Sequence, residues 1–321
     1  MKFFHLSDLH IGKQLHHYNL IPEQRDILGR IVALAEKEQP DAILIAGDIY
    51  DTPVPSAEAV SVFDAFLTAL NNLTPAVTIC VIAGNHDSAK RIDFASGILA
   101  KHRVVIAGMP PTVPEEKLKK VCISDSYGEV CIYLLPFVKP SFVRNLTEEE
   151  IQTYDDAVRL VIERESIDTE KRNIIISHQF YTAEGKEPET SDSEIRMVGG
   201  IENVDVSVLE PFDYAALGHI HRKQKIGHEK NCYCGTPLQY SVSEAGDEKT
   251  VTMVELLEKG SKPCITELPL EPLRRVRKLT GHLEEILEAA SEENCHDYVS
   301  ITLTDEVEAY QPKEKLEQVY D

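Results

Sequence analysis

No apolar run in these 321 residues approaches the roughly 20 needed to cross a bilayer, so a membrane-spanning helix is not expected. The opening Met1-Lys2-Phe3-Phe4-His5-Leu6-Ser7-Asp8 meets an aspartate too early for a secretory signal, and the expected address is cytoplasmic. Seven cysteines, at positions 80, 122, 131, 232, 234, 264 and 295, show no repeated CxxC spacing. That excludes a structural zinc site of the usual kind and points to reduced thiols. Internal repeats and low-complexity tracts are missing, which argues against a solenoid or a disordered chain. Basic residues are scarce as well: 33 Lys and Arg stand against 54 Asp and Glu, a formal charge of −21. An acidic surface repels nucleic acid, so any DNA site must be local, and bound divalent cations would supply much of its positive charge.

With 42% hydrophobic residues, the chain can bury a large core, and its length suggests one large unit plus a smaller one. The first half alternates β-rich runs with amphipathic stretches, the pattern of an α/β layer structure. Lys2–Leu6, Ala42–Ala46 and residues 77–83 read as strands. Residues 22–37 read as a helix whose Ile27, Leu28, Ile31, Val32 and Ala35 share one face. Ser56 is the expected N-cap of a helix burying Val60, Phe63, Leu67 and Leu70. A hairpin is expected around the turn at 125–128, and Thr147 with Glu150 reads as a capping box ahead of a helix bearing Ile151, Tyr154, Val158 and Val161. Further strands are expected at 173–176, 214–217, near Tyr233, and at 251–256 and 265–268. The polar stretch 182–200 has no strong period and reads as a functional lid or mobile segment. A composition shift near Pro269 to Pro272 divides residues 1–270 from a small α/β unit, 271–321, with a helix at 283–290, a strand at Tyr298–Leu303 and a short helix at 312–319.

Five polar islands each follow an expected strand: Ser7-Asp8-Leu9-His10-Ile11-Gly12, Gly47-Asp48-Ile49-Tyr50-Asp51, Gly84-Asn85-His86-Asp87, Ser177-His178 and Gly218-His219-Ile220-His221. Open α/β sheets gather ligand groups at such strand ends. Asp8 and His10 are two apart, as are His219 and His221, so each pair, if extended, would point to one side. Carboxylate, imidazole and amide oxygen together suit Mn²⁺, with Fe²⁺, Zn²⁺ or Mg²⁺ as alternatives. Seven candidates, Asp8, His10, Asp48, Asn85, His178, His219 and His221, are too many for one ion, whereas two ions sharing a carboxylate use them all.

This set, in this order, resembles the calcineurin-like metallophosphoesterase signature D-x-H…GD-x-x-D…GNHD…H…GH-x-H. Residues 3–13, the Gly218-His219-Ile220-His221 block, Tyr233-Cys234-Gly235-Thr236-Pro237-Leu238 and Pro272-Leu273-Arg274-Arg275 are similar to the SbcD exonucleases, bacterial relatives of the eukaryotic double-strand-break repair nuclease. The resemblance implies two sheets flanked by helices, with a small C-terminal capping domain that contacts DNA. It assigns Asp8, His10, Asp48 and His221 to one divalent ion, and Asp48, Asn85, His178 and His219 to the second, with Asp48 as bridge. The implied reaction is metal-assisted phosphodiester hydrolysis, by exonuclease action on duplex ends and endonuclease action on single-stranded or hairpin DNA. His86 would protonate or stabilise the leaving oxygen, and Asp51 would hydrogen-bond to His86 and fix its tautomer. Some nuclease relatives carry histidine at the position of Asp51. The implied partners are DNA, an SbcC-type coiled-coil ATPase and a second copy of the chain. Relatives continue past residue 321, so the small unit is expected to be cut short and to bind the ATPase poorly.

Two other readings compete. A phosphatase or an enzyme for small nucleotide phosphodiesters would use the same metal residues, but would need little after the Gly218-His219-Ile220-His221 block. A non-catalytic scaffold on the same fold would be expected to have lost ligands, and none is missing. His16 and His17 read as surface or DNA-facing residues, and Cys232 with Cys234 as core packing. Arg274, Arg275, Arg277 and Lys278 either contact phosphate or solubilise a linker.

Overall fold

Which way each strand faces is set by where its apolar residues can be covered, and two six-stranded sheets form the body of the fold, beside three two-stranded ones among the described residues. The computed structural model describes residues 1–194, 200–306 and 310–320. Along the chain, β1 (Lys2–Leu6) leads through a ribbon of β2 (Gln14–Leu15) and β3 (Tyr18–Asn19) to α1 (Ile21–Glu38). Next come β4 (Ala42–Ala46), α2 (Ala57–Asn71), β5 (Thr78–Ile82), α3 (Ala89–Ile92), α4 (Ser96–Leu99) and β6 (Val104–Ala107). The antiparallel hairpin β7 (Lys119–Asp125) and β8 (Gly128–Leu135) is followed by α5 (Pro140–Val143), α6 (Tyr154–Glu163) and β9 (Arg172–His178). The run continues through β10 (Phe180–Thr182), β11 (Asn203–Asp205), β12 (Tyr214–Gly218), β13 (Gln224–Ile226), β14 (His228–Tyr233), β15 (Thr250–Glu255) and β16 (Cys264–Pro269). The small C-terminal unit holds β17 (Val276–Gly281), α7 (Leu283–Glu288), β18 (Tyr298–Leu303) and α8 (Pro312–Leu316).

The first sheet has the order β16-β15-β1-β4-β5-β6, the second β13-β14-β12-β9-β8-β7. Strands β1, β4, β5 and β6 run parallel, as do β8, β9, β12 and β14. Phe3, Leu44, Ile82, Ile132, Ile174 and Tyr214 belong to one fully buried cluster between the sheets. Burying such a side chain contributes about 1.5–3 kcal/mol. The outer face of the first sheet is covered by α1 and α2, and that of the second by α6. Arg172, 1% exposed, ties this frame together. Its guanidinium donates to both carboxylate oxygens of Asp125 and to the carbonyls of Gly128 and Leu256, joining the hairpin to the end of β15. Among the described residues no helix is long and apolar enough to cross a membrane.

Several local expectations change. Ser56 does cap α2, accepting from the Ala59 amide at 3.1 Å, but the buried stripe is Ala59, Val62, Phe63, Phe66 and Leu70, and Val60 is exposed. Two stripes one residue apart fit the same period, and only packing chooses between them. The capping box lies at Thr153 and Asp156, not at Thr147 and Glu150, so Ile151 precedes α6. Cys122 and Cys131, expected as free thiols, are directly opposed across β7 and β8 and form a disulfide. The segment 182–200 carries β10's last residue and otherwise no helix or strand among its described residues, while residues 195–199 lie outside the description, as does Asp321 of the chain's last element.

The small unit is a parallel pair, β17 and β18, connected through α7. It is held to the large unit by Glu23 of α1, a residue only 2% exposed. The Glu23 carboxylate accepts from Arg274 and, at 2.9 Å, from the Tyr298 hydroxyl. The Val276 amide donates to Gln239 at 2.8 Å. Arg274 is therefore a joint between the units, and Arg277 pairs with Asp297.

Candidate metal centre

All five polar islands sit where parallel strands end: after β1, β4 and β5 of the first sheet, and at the ends of β9 and β12 of the second. Two glycines let these loops close on one another. A Cβ on Gly84 would fall 2.1 Å from Asp48 Oδ1, and one on Gly218 would fall 2.0 Å from the Ala46 carbonyl oxygen. Neither position has room for a side chain.

The extended pairs expected at 8/10 and 219/221 are not extended. Asp8, His10, Asp48 and His219 have φ of 52°, 42°, 49° and 95°. Left-handed backbone costs a non-glycine residue about 1–2 kcal/mol and persists where its surroundings over-determine it. Those surroundings are visible. The amides of Asp8, His10 and Ile11 donate to the carbonyls of Gly47, Asp48 and Ile49 at 2.9–3.0 Å. Buried Gln24 of α1 accepts from the Gly12 amide and donates to the His10 carbonyl, and the Tyr240 hydroxyl donates to the Leu9 carbonyl. Asp87 lashes the next two loops together by accepting from the amides of Ile49, Tyr50 and Gly84.

The seven candidates converge in two groups. His10 Nε2 lies 3.1 Å from His221 Nε2 and 4.0 Å from Asp8 Oδ1. Asn85 Oδ1 lies 2.9 Å from both His178 Nε2 and His219 Nδ1. Asp48 stands between the groups, its Oδ2 3.6 Å from His10 Nε2 and 3.3 Å from His178 Nε2. One donor atom each from Asp8, His10 and His221 falls within 4.8 Å of the others, as does one from each of Asp8, Asp48 and His178. Asp8, His10, Asp48, His178 and His221 are buried, and ring nitrogens that face carboxylates and one another are a donor set that divalent cations satisfy. The residues fit a two-ion site.

Electrostatics agree with a site built for positive charge. Burial raises the Asp8 carboxyl. Burial also opposes ionisation of Asp48, but the charges of His178 and His10 outweigh it and hold Asp48 well below the usual carboxylate range. Burial works against a proton on His178, yet the Asp48 carboxylate raises that imidazole to about 9. Burial and the neighbouring His178 charge lower His219 to about 3. A cation among these groups would take over the role that His178's proton plays beside Asp48.

His86 lies beside this cluster, its ring centroid 4.8 Å from that of His10. Its Nδ1 donates to the backbone carbonyl of Asp51 at 2.9 Å. The expected side-chain bond from Asp51 to His86 is not made: the Asp51 carboxylate accepts from Lys13 at 2.9 Å and lies 3.4 Å from His10 Nδ1, long for a hydrogen bond. The main chain of residue 51 orients His86, while its carboxylate lies within 4.8 Å of a ring nitrogen of both His10 and His86 without bonding to the latter, a division that sequence spacing cannot reveal. Sequence reading also missed Ser193, whose Oγ is 2.6 Å from His221 Nδ1, and Glu194, whose Oε1 accepts from the His221 amide at 2.7 Å. The polar composition of residues 182–200 was the only signal for them.

A β-sandwich that gathers Asp, His and Asn at strand ends in this order defines a calcineurin-like phosphoesterase, and residues 1–223 match the calcineurin-like phosphoesterase family model. Residues 269–321 match the Type 5 capsule protein repressor C-terminal domain. The whole chain is 34% identical, over 325 residues and 83% of the relative's length, to the SbcD component of the SbcCD nuclease of Staphylococcus epidermidis. The chain belongs to the calcineurin-like phosphoesterase family, in its SbcD branch, and is a metal-dependent hydrolase. Among solved structures, a dimetal phosphatase from Danio rerio aligns over 85% of this chain and 98% of its own at 14% identity, with a TM-score of 0.45. GAP50 of the Plasmodium inner membrane complex aligns over 84% and 89% at 12% identity, with a TM-score of 0.48.

Proposed function

We propose that this chain is the nuclease component of an SbcCD-type assembly, cutting DNA phosphodiesters with two divalent cations. The observation that carries the reading is Asp48, one carboxylate oxygen of which lies 3.6 Å from His10 of one ligand group and 3.3 Å from His178 of the other. Asp8, His10, Asp48 and His221 would hold one ion and Asp48, Asn85, His178 and His219 the other. The mixed nitrogen and oxygen donors favour Mn²⁺, with Fe²⁺, Mg²⁺ and Zn²⁺ as competitors. Two dications bound there supply Lewis acidity and neutralise charge on the scissile phosphate.

The chain's own residues do the rest. The Asp51 carbonyl fixes the proton on His86 Nδ1, leaving Nε2 for the leaving oxygen, to which a protonated ring can donate. The Asp51 carboxylate steadies His10 and Lys13. Local cations answer the repulsion expected of a chain with net charge −21. The small unit, from residue 271 onward, is read as a cap contacting DNA, and an SbcC-type coiled-coil ATPase as the partner, in keeping with the relative's name. Phe94 and Ile98, 81% and 66% exposed, are apolar surface that a homodimer contact would cover.

The test is hydrolysis of blunt duplex, hairpin and single-stranded DNA with Mn²⁺, beside a cyclic-nucleotide control. Cleavage of DNA with inert cyclic nucleotide supports the reading. Rapid cyclic-nucleotide hydrolysis with intact DNA would replace it with a small-substrate phosphodiesterase.

A further inference from the structure

Behind His221, away from the other ligand candidates, a chain of polar groups runs from half-buried Ser193 to buried Glu244 and Lys249. Ser193 Oγ lies 2.6 Å from His221 Nδ1 and 2.6 Å from Glu244 Oε1. Glu244, fully buried, accepts from Lys249 Nζ through its other oxygen at 2.7 Å. Burial opposes ionisation of Glu244, but Lys249 outweighs it and lowers the carboxyl below its usual range. The Ser241, Thr236 and Ser191 hydroxyls also face it at 3.2, 3.3 and 3.4 Å, and Ser191 Oγ lies 2.8 Å from Ser193 Oγ, to which it can donate.

Hydrogen counting gives this chain a direction. An ionised carboxylate only accepts, so Ser193 spends its single hydroxyl hydrogen on Glu244. At 2.6 Å from His221 Nδ1, the serine oxygen has only lone pairs left to offer. The proton must therefore sit on His221 Nδ1, which leaves the Nε2 lone pair facing His10 and the cluster. We propose that Ser193 is a positioning residue: a Lys249–Glu244–Ser193 relay locks His221 in the tautomer whose Nε2 can ligate a metal. The inference rests on the reading of His221 as a ligand, and adds that Ser193, on the loop that follows β10, helps to build the site. Outer hydrogen-bond partners of a ligating imidazole typically change metal affinity 10- to 100-fold.

Two substitutions separate the relay from mere packing. Ser193→Ala removes the acceptor, while Ser193→Thr keeps it. Glu244→Gln is nearly isosteric but turns the relay around: Lys249 attracts the amide oxygen, the amide nitrogen then donates to Ser193, and Ser193 donates to Nδ1. The proton on His221 moves to Nε2. Two-bond ¹H–¹⁵N correlation on histidine-labelled, metal-free protein reads the tautomer, with His221→Gln providing the assignment, and calorimetry with Mn²⁺ reads affinity. The expectation is Nδ1–H in the unsubstituted chain and in Ser193→Thr, Nε2–H in Glu244→Gln, and about 10- to 100-fold weaker Mn²⁺ binding in Ser193→Ala and Glu244→Gln. An Nε2–H tautomer in the unsubstituted chain overturns the relay, as does unchanged affinity in Ser193→Ala. If the unsubstituted chain binds no Mn²⁺ while its tautomer is Nδ1–H, the metal reading fails and the hydrogen-bond relay stands.

Discussion

The backbone amide of His86 donates to Asp48 Oδ1 at 2.8 Å, so the candidate acid is tied to the very carboxylate that faces both ligand groups. Asp48→Asn can keep that bond only by turning its amide nitrogen toward His10 and His178. The expected outcome is loss of both ions and of hydrolysis, measured as metal content after dialysis beside turnover. Two ions retained per chain with near-normal turnover would remove Asp48 from its bridging role.

His86→Ala leaves that amide in place and deletes only the ring. Metal content should stay, while the rate falls by about 10²- to 10⁴-fold, the usual worth of a general acid. Parallel loss of metal and activity would show that the ring supports the ligands.

Gly84→Ala probes the same contact from the other side. A methyl 2.1 Å from Asp48 Oδ1 must displace the carboxylate, and a 1 Å misplacement costs about 10²-fold in rate. Gly97→Ala has nothing within 4 Å and serves as the control. Equal activity in the two variants would mean that the loop yields freely.

Stability should depend on the Arg172–Asp125 pair. Arg172→Met leaves Asp125 partly exposed and still paired with the Met1 ammonium, so the loss expected in urea unfolding is that of charge-assisted hydrogen bonds, about 1.5–3 kcal/mol. Burial opposes ionisation of Asp125, and the Arg172 hydrogen bonds more than reverse that, depressing its pKa. Its contribution is therefore complete above the unfolded carboxyl's value near ~3.9 and drains away as pH falls toward the depressed folded value. Asp125→Asn should flatten the stability curve below about pH 4. An unchanged acid limb would assign that loss to other carboxylates.

Much of this was legible beforehand because the strands are short, apolar and punctuated. Lys2–Leu6, Ala42–Ala46 and Tyr298–Leu303 appear with the expected bounds, and the five islands fall at strand ends. What sequence could not carry was competition between equivalent local signals and contacts across distance. Thr147 and Thr153 both head an N-cap pattern, and packing of Tyr154, Val158 and Val161 selected the second. The pairing of Cys122 with Cys131 depends on hairpin register. Left-handed backbone at Asp8, His10 and Asp48 is imposed by Gln24, Tyr240 and neighbouring carbonyls, none of which belongs to the motif. Ser193 meets His221 from 28 residues before it, and Glu244 meets Ser193 from 51 residues beyond, with no spacing rule to announce either.

The two-sheet division of the ligand candidates also bears on how the protein is made. His10 and His221 stand 211 residues apart and touch only after both sheets have assembled. A nascent chain, emerging from its amino end, offers Asp8, His10, Asp48 and Asn85 long before any of His178, His219 and His221 exists. Domains fold as units during synthesis, so this half-set waits for the second sheet. On the proposed two-ion reading, the metal centre is thus withheld until nearly the whole large unit has been translated, and an interrupted product would reach the cell with only half of its ligands.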